Sequence, residues 1–312
     1  HAKLAVVDGR LALVGSENPT LASAPEDDPV DGTLGRRGVW LATDAALVVG
    51  WAERIVADDL DAERHVDVRP YQPRDPDRGA PAEDFEPERG GGGTGHPAVA
   101  PDPLVIREAL QVELVTAPEN ALTPGTGLTR LLGAAGAGDQ ILVEQLREPR
   151  WWSMGAGAGP GDMNPRLLGY LEAARRGARV RVLLDGYFDQ PGAWNSNANA
   201  ARALRAAARS EGLDLDARLG NPTGLGVHNK MVLVRLGRGP DARGWAHVGS
   251  LNGSEMAHKA NREAAVQLES RAVHDYLAAV FEADWAASPE APLWLPWVAR
   301  GGGTAAGRPS SG

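Results

Sequence analysis

Two hydrophobic periods alternate along the chain. Short runs rich in apolar and β-branched residues lie at 37–43, 111–116, 140–145, 179–184, 217–219, 230–235, 245–249 and 263–268, and each predicts a strand. Between them, apolar residues return at helical spacing over 44–60, 128–135, 165–176, 198–210 and 272–285. In the first of these helices Leu47, Val48, Trp51, Ile55 and Val56 share one stripe, and Asp44 stands where a cap is expected. A strand followed by a helix closes the chain near residue 60 and again near 285. The expected fold is therefore a duplicated α/β sandwich with a mixed, largely parallel sheet in each half.

The halves are unequal. Residues 105–290 hold a full set of elements, whereas 1–68 supply only the last part of a half. By internal symmetry, on the order of 100 residues, about one small domain, are expected upstream. Residues 69–104 are rich in Pro, Gly, Asp and Glu, with Gly90 to Gly93 in a row, and read as a linker. Such a composition buries too little apolar surface to fold. Residues 291–312 read as a flexible tail. Both ends are expected to be cut, because no initiator Met or signal sequence precedes His1.

Composition narrows the chemistry. The absence of cysteine excludes disulfides, thiolate nucleophiles and Cys-ligated zinc. A net charge of −9 argues against a dedicated nucleic-acid binder, which carries a basic face. No apolar run reaches the roughly 18 residues that span a bilayer. No HExxH or calcium-loop pattern occurs, so neither a metal nor a cofactor is expected. The wealth of Ala, Arg, Gly and Pro fits a high-GC bacterial genome.

One phrase occurs twice. His1-Ala2-Lys3 is followed by Gly15-Ser16-Glu17-Asn18, and His228-Asn229-Lys230 is followed by Gly249-Ser250-Leu251-Asn252. In a strand, positions i and i+2 share a face, so each His points the same way as its Lys. The pairing of HxK with GSxN, twice in one chain, resembles the phospholipase D superfamily of phosphodiesterases and phosphatidyltransferases, whose members join two such half-motifs in one active site. The residues from Gly220 through His228 and Lys230 to Glu255 are similar to a bacterial extracellular phospholipase D-like group. A secreted or cell-envelope location is what that likeness implies.

A phosphodiester needs a nucleophile, an acid for the leaving alkoxide and donors for the non-bridging oxygens. The doubled motif supplies this set. One imidazole attacks to give a phosphohistidine, and the other protonates the leaving group and then activates water or an alcohol. Lys3 and Lys230 neutralise charge, and Asn18 and Asn252 donate hydrogen bonds. Ser16 and Ser250 either donate to the phosphate or orient the adjoining loop. Asp8-Gly9 between two apolar strands signals a tight hairpin, so Asp8 reads as turn-forming rather than catalytic. Its counterpart in the second copy is Arg235, with a longer loop.

In superfamily members an acidic residue on the strand after GSxN often holds the nucleophilic imidazole. Glu263 matches that position, whereas the first half has Gly38. This asymmetry points to His228 as nucleophile and His1 as acid, while the likeness to secreted bacterial phospholipases D implies the reverse. Both assignments stay open here.

The remaining histidines, His65, His96, His247, His258 and His274, lack companions and read as structural. Gly155, Gly157, Gly159 and Gly161 make no dinucleotide fingerprint, since Pro160 spoils the turn into a helix. Trp151, Trp152, Trp294 and Trp297 suit a lipid interface, or else simply pack in core and loops. Three functions follow. The first is a metal-independent phospholipase D-like enzyme acting on phospholipid at a membrane surface. The second is a nuclease of the same superfamily using Arg175, Arg176, Arg179 and Arg181 as a basic groove. The third is a non-catalytic module that keeps the motif as a vestige.

Overall fold

The computed structural model describes residues 1–20, 23, 35–65, 68, 99–100, 102–152 and 162–288. Nearly all of the expected linker, the glycines from 155 to 161, His96 and the tail with Trp294 and Trp297 lie outside the described residues.

The first half forms a small antiparallel sheet of β1 (Leu4–Val7), β2 (Leu11–Gly15) and β3 (Trp40–Thr43), followed by α1 (Ala46–Asp59). The second half begins with β4 (Gln111–Ala117), α2 (Gly127–Ala134) and β5 (Gln140–Gln145). A two-stranded ribbon of β6 (Trp151–Trp152) and β7 (Asp162–Met163) comes next. Then follow α3 (Pro165–Arg175), β8 (Arg179–Asp185), α4 (Asn197–Glu211) and β9 (Leu215–Gly220). The chain closes with β10 (Lys230–Leu236), β11 (Arg243–Gly249), α5 (Glu255–Lys259), β12 (Glu263–Glu269) and α6 (Arg271–Ala287). The short elements β6, β7 and α5 were invisible to periodicity, which needs a longer window.

Local chemistry sets the helix starts. Asn164 accepts from the Arg166 amide with Pro165 at the first position of α3, Ser196 accepts from Asn199 at α4, and Ser270 accepts from Val273 at α6. Asp44 does not cap α1: the capping position is Ala45, with no side-chain bond.

The main sheet runs β4-β12-β11-β10-β5-β8-β9. It is mixed, as expected, but its parallel share is smaller than expected. Only β5–β8 and β8–β9 pair in parallel, and the other four pairs are antiparallel. Connectivity explains this: α3 and α4 carry crossovers that return the chain in the same direction, whereas β10, β11 and β12 follow one another by short returns.

Both faces of the sheet are covered, so its central strands are buried on either side. On β5, Ile141 and Val143 meet Leu131, Leu167, Tyr170 and Leu204 from α2, α3 and α4. Leu142 faces the other way into a core shared by α6 and the first half, where Val14, Val48 and Ile55 pack with Val248, Val266 and Phe281. Arg37 fastens the halves at one point. Its amide donates to the Gly226 carbonyl at 3.1 Å, its carbonyl accepts from the His228 amide at 2.8 Å, and its guanidinium grips buried Asp284 at 2.6 and 2.9 Å. That seam lies at one end of the strands, where the carboxyl ends of β5, β8 and β11 meet the amino ends of β10 and β12.

Candidate active site

The first motif is delivered by a hairpin. Asp8 and Gly9 take left-handed φ values of 51° and 64° in the turn between β1 and β2, and Asp8 is exposed there, at the opposite end of the strands from His1. The Gly15 amide donates to the Lys3 carbonyl at 2.9 Å, which brings the start of the chain alongside the Gly-Ser-Glu-Asn turn. Glycine opens both turns because no side chain fits. A Cβ at Gly15 would lie 2.4 Å from the Trp40 ring, and one at Gly249 would lie 2.2 Å from the Ala264 carbonyl.

Each histidine is held by the other half of the molecule. His1 Nδ1 lies 2.8 Å from the Glu263 carboxylate. His228 Nδ1 lies 2.8 Å from the Ser16 carbonyl oxygen, with Glu17 Oε2 at 3.2 Å. A carbonyl only accepts, so Nδ1 of His228 carries the proton and Nε2 keeps the lone pair. The expected pairing of Glu263 with His228 is thus corrected: Glu263 serves His1. The reason is sheet order, since β12 is separated from β10 by β11 and its amino end lies under the docked hairpin.

The first half has its own carboxylate, in a place that sequence alignment of the halves conceals. Gly38 occupies the position equivalent to Glu263, and a Cβ there would lie 2.0 Å from the Glu17 side chain. Glu17 therefore fills the space that Gly38 leaves, reaching the cleft from the turn instead of the following strand. It is 2% exposed. The signal that would have found it is the acidic residue at the variable position of GSxN.

The lysines mirror each other. Lys3 Nζ donates to the His1 carbonyl at 2.7 Å and lies 3.1 Å from His1 Nε2. Lys230 Nζ donates to the His228 carbonyl at 2.8 Å and to Ser16 O at 3.1 Å, so it too bridges the halves. The serines also mirror each other. Ser16 Oγ accepts from the Val39 amide at 2.9 Å and Ser250 Oγ from the Ala264 amide at 3.0 Å, and both residues are fully buried. Their hydroxyls tie the turn to the next strand, which is the loop-orienting arrangement. Asn252 borders the cleft with His228, and its Oδ1 is buried without a hydrogen-bond partner among the described residues. Asn18 is half-buried, and its side chain makes no hydrogen bond among the described residues.

Burial governs the electrostatics. It lowers His228 to about 3, reinforced by the Lys230 ammonium and only partly opposed by the bond to Ser16. His228 is consequently neutral at ordinary pH. Lys230 falls to about 7, through burial first and then repulsion from Lys3, with Glu17 and Glu263 pulling it upward. Burial likewise lowers Lys3 and raises Glu17 and Glu263. Lysines and carboxylates of both halves thus act on one another across a single site.

Supporting residues escaped sequence reading. Asp185, raised to about 6 by burial, accepts from the Val227 amide at 2.8 Å and the Phe188 amide at 2.6 Å, which fixes the approach to His228. Behind the second GSxN turn, Asn164 Nδ2 donates to buried Glu148 at 2.7 Å and to the Gly253 carbonyl at 2.9 Å. The Trp152 indole donates to that carbonyl as well, so Trp152 packs as a structural residue and does not face lipid. His247, His258 and His274 are buried outside the cleft, and burial lowers each of them. Exposed aromatics gather instead on the β8–α4 loop, where Tyr187, Phe188 and Trp194 are 49%, 44% and 42% exposed. Phe188 lines the cleft.

Residues 167–285 match the family model described as cardiolipin synthase, PLD-like domain. Among solved structures, the phospholipase D family member Nuc from Salmonella typhimurium aligns at 16% identity and a TM-score of 0.39, covering 58% of this chain and 97% of that one. NucT from Helicobacter pylori aligns at 12% identity and 0.38, covering 58% and 98%. No curated protein sequence matches the chain.

Proposed function

We propose that the chain, whose residues 167–285 match a PLD-like domain, is a phospholipase D-like, metal-independent phosphodiesterase or phosphatidyltransferase acting on phospholipid through a phosphohistidine. The observation that carries this reading is the crossed support of the two histidines, each held by the other half.

His228 is the nucleophile. It is 6% exposed, neutral, and has its free lone pair on Nε2. The lone pair attacks phosphorus, and the bond from phosphorus to the leaving oxygen breaks. Protonated His1, whose side chain is 42% exposed and held by Glu263, gives its Nε2 proton to that alkoxide. Neutral His1 then takes a proton from water or an alcohol, whose oxygen attacks phosphorus. The phosphorus–nitrogen bond breaks and its electron pair returns to His228. Lys3, Lys230 and Asn252 balance the charge on the non-bridging oxygens. The Asn18 side chain completes the donor set once substrate brings an oxygen to it.

Phospholipid is favoured over nucleic acid by two features. The exposed aromatics of the β8–α4 loop sit at the cleft, where an apolar body with a polar edge suits a lipid interface. The arginines expected to form a basic groove are engaged elsewhere: Arg175 with Glu172 and Glu211, Arg176 with the Leu132 and Ala135 carbonyls, Arg179 with Asp214 and Arg181 with Glu282.

The test is headgroup release from mixed phospholipid vesicles in EDTA, run beside plasmid cleavage. Lipid turnover that disappears in both His1→Ala and His228→Ala, with plasmid intact, is the expected result. Plasmid cleavage with inert vesicles would replace the lipid by nucleic acid.

A further inference from the structure

We infer that the cleft beside His228 recognises a second anionic group on the substrate, so that the preferred substrate is a phosphodiester flanked by another phosphate. This rests on the phosphodiesterase reading above and adds to it the residues that choose the substrate, Arg36 and Arg147.

Both guanidinium side chains line the cleft that His228 and Asn252 border. The two lysines stand beside the histidines, where Glu17 and Glu263 also act on them. The guanidinium groups add two fixed positive charges next to that set, of which Arg36 also acts on Glu17. Arg36 is held ready rather than free: its guanidinium lies 4.9 Å over the Phe188 ring, and Phe188 is itself anchored through its amide to Asp185. Its Nε is nevertheless buried with no hydrogen-bond partner among the described residues. A buried, unpaired guanidinium donor is costly, and a phosphate oxygen is the group that matches its planar fork. Arg147 is exposed at the same cleft and makes no side-chain ion pair among the described residues.

One carboxylate lines the cleft and its charge is already committed. Asp189 accepts from the Asn197 amide at 2.8 Å and the Ala198 amide at 3.0 Å, at the amino end of α4, where the helix dipole favours a negative charge. The cleft holds about 300 Å3, at the lower end of small-ligand sites, which run from about 300 to 1,000 Å3. That is room for one headgroup-sized anion. The shared chemistry, a second phosphate beside the scissile one, occurs in a lipid with two phosphates and in a phosphorylated nucleotide.

The direct probe is inorganic pyrophosphate, titrated calorimetrically into the protein with inorganic phosphate as the reference. Pyrophosphate is expected to bind at least about tenfold more tightly, the scale of one charge-assisted hydrogen bond. Arg36→Gln and Arg147→Gln should each erase most of that difference while far-ultraviolet dichroism remains that of the wild type. Equal binding of the two anions, or a preference that survives both substitutions, would overturn the second-anion site.

Turnover then identifies the source. The ratio of kcat/KM for cardiolipin over phosphatidylcholine in vesicles is compared with that for 5′-phosphorylated over unphosphorylated thymidine dinucleotide. A ratio that collapses in Arg36→Gln for the lipid pair assigns the second phosphate to a lipid, and the same collapse confined to the nucleotide pair assigns it to nucleic acid. Bis(p-nitrophenyl) phosphate, which has one phosphate, reads the underlying activity separately. If it is not turned over, the phosphodiesterase reading fails, while the pyrophosphate titration still decides the anion site.

Discussion

The two copies of the motif spell nearly the same words in different surroundings. His228 and Lys230 open a strand in the interior of a seven-stranded sheet and are 6% and 2% exposed. His1 and Lys3 lead into a hairpin of a three-stranded sheet, where the His1 side chain is 42% exposed. The carboxylates differ too. Glu263 contacts His1 directly at 2.8 Å, whereas Glu17 stands 3.2 Å from a ring nitrogen that is already bonded to the Ser16 carbonyl. One arm is a dry imidazole kept neutral by burial. The other is a solvent-reached imidazole on a carboxylate, suited to exchanging protons. The residue types repeat, and unequal burial sets the two imidazoles apart.

The largest effect expected from breaking that comparison is a trapped intermediate. With bis(p-nitrophenyl) phosphate the leaving group needs no acid, so His1→Ala should still release a first equivalent of nitrophenolate. Lacking the base for the second step, it should then hold a phosphoryl adduct on His228, visible by intact mass spectrometry. His228→Ala should form no adduct and lose turnover by roughly a thousandfold or more, the scale of removing a nucleophile. An adduct on His1 in the His228→Ala protein would exchange the two assignments.

A smaller difference is expected between the carboxylates. Glu263→Gln should lower kcat by about a hundredfold, because it removes the hydrogen-bonded partner of the proton-transferring imidazole. Glu17→Gln should cost about tenfold at most, since the Ser16 carbonyl continues to fix the His228 tautomer. Steady-state kinetics on one substrate rank the two, and a larger loss at Glu17 would make it the dominant partner.

The smallest effect is a displacement along the pH axis. Lys230 titrates at about 7, and its charged form is the protonated one, present below that value. Anion capture, read as kcat/KM, should therefore fall as pH rises through about 7. Lys230→Arg keeps its charge and should move that alkaline limb upward. His228, lowered to about 3, is already neutral across this window and contributes no limb there. A limb that stays in place in Lys230→Arg would assign it to another group.

Much of the fold was legible in order. The strands at 140–145, 179–184 and 230–235 and the helices at 165–176 and 198–210 reappear as β5, β8, β10, α3 and α4 within a residue or two. Buried strands and amphipathic helices write their period into the chain. Sheet direction was less legible, because an apolar run reads the same whether its neighbour is parallel or antiparallel.

The same division runs through the site. Residue types and spacing singled out His1, Lys3, Asn18, His228, Lys230 and Asn252 as candidates, since a phosphodiester calls for such a set and strand geometry puts His and Lys on one face, and the family resemblance added Glu263. Partnership was decided only by the docking of the two halves. That docking set Glu263 against His1, brought Ser16 and Glu17 to His228, let Glu17 fill the space beside Gly38 and placed Arg36 over Phe188. Contacts between residues far apart in the sequence leave no mark in local periodicity. Which imidazole is dry and which is wet depends on what the other half covers.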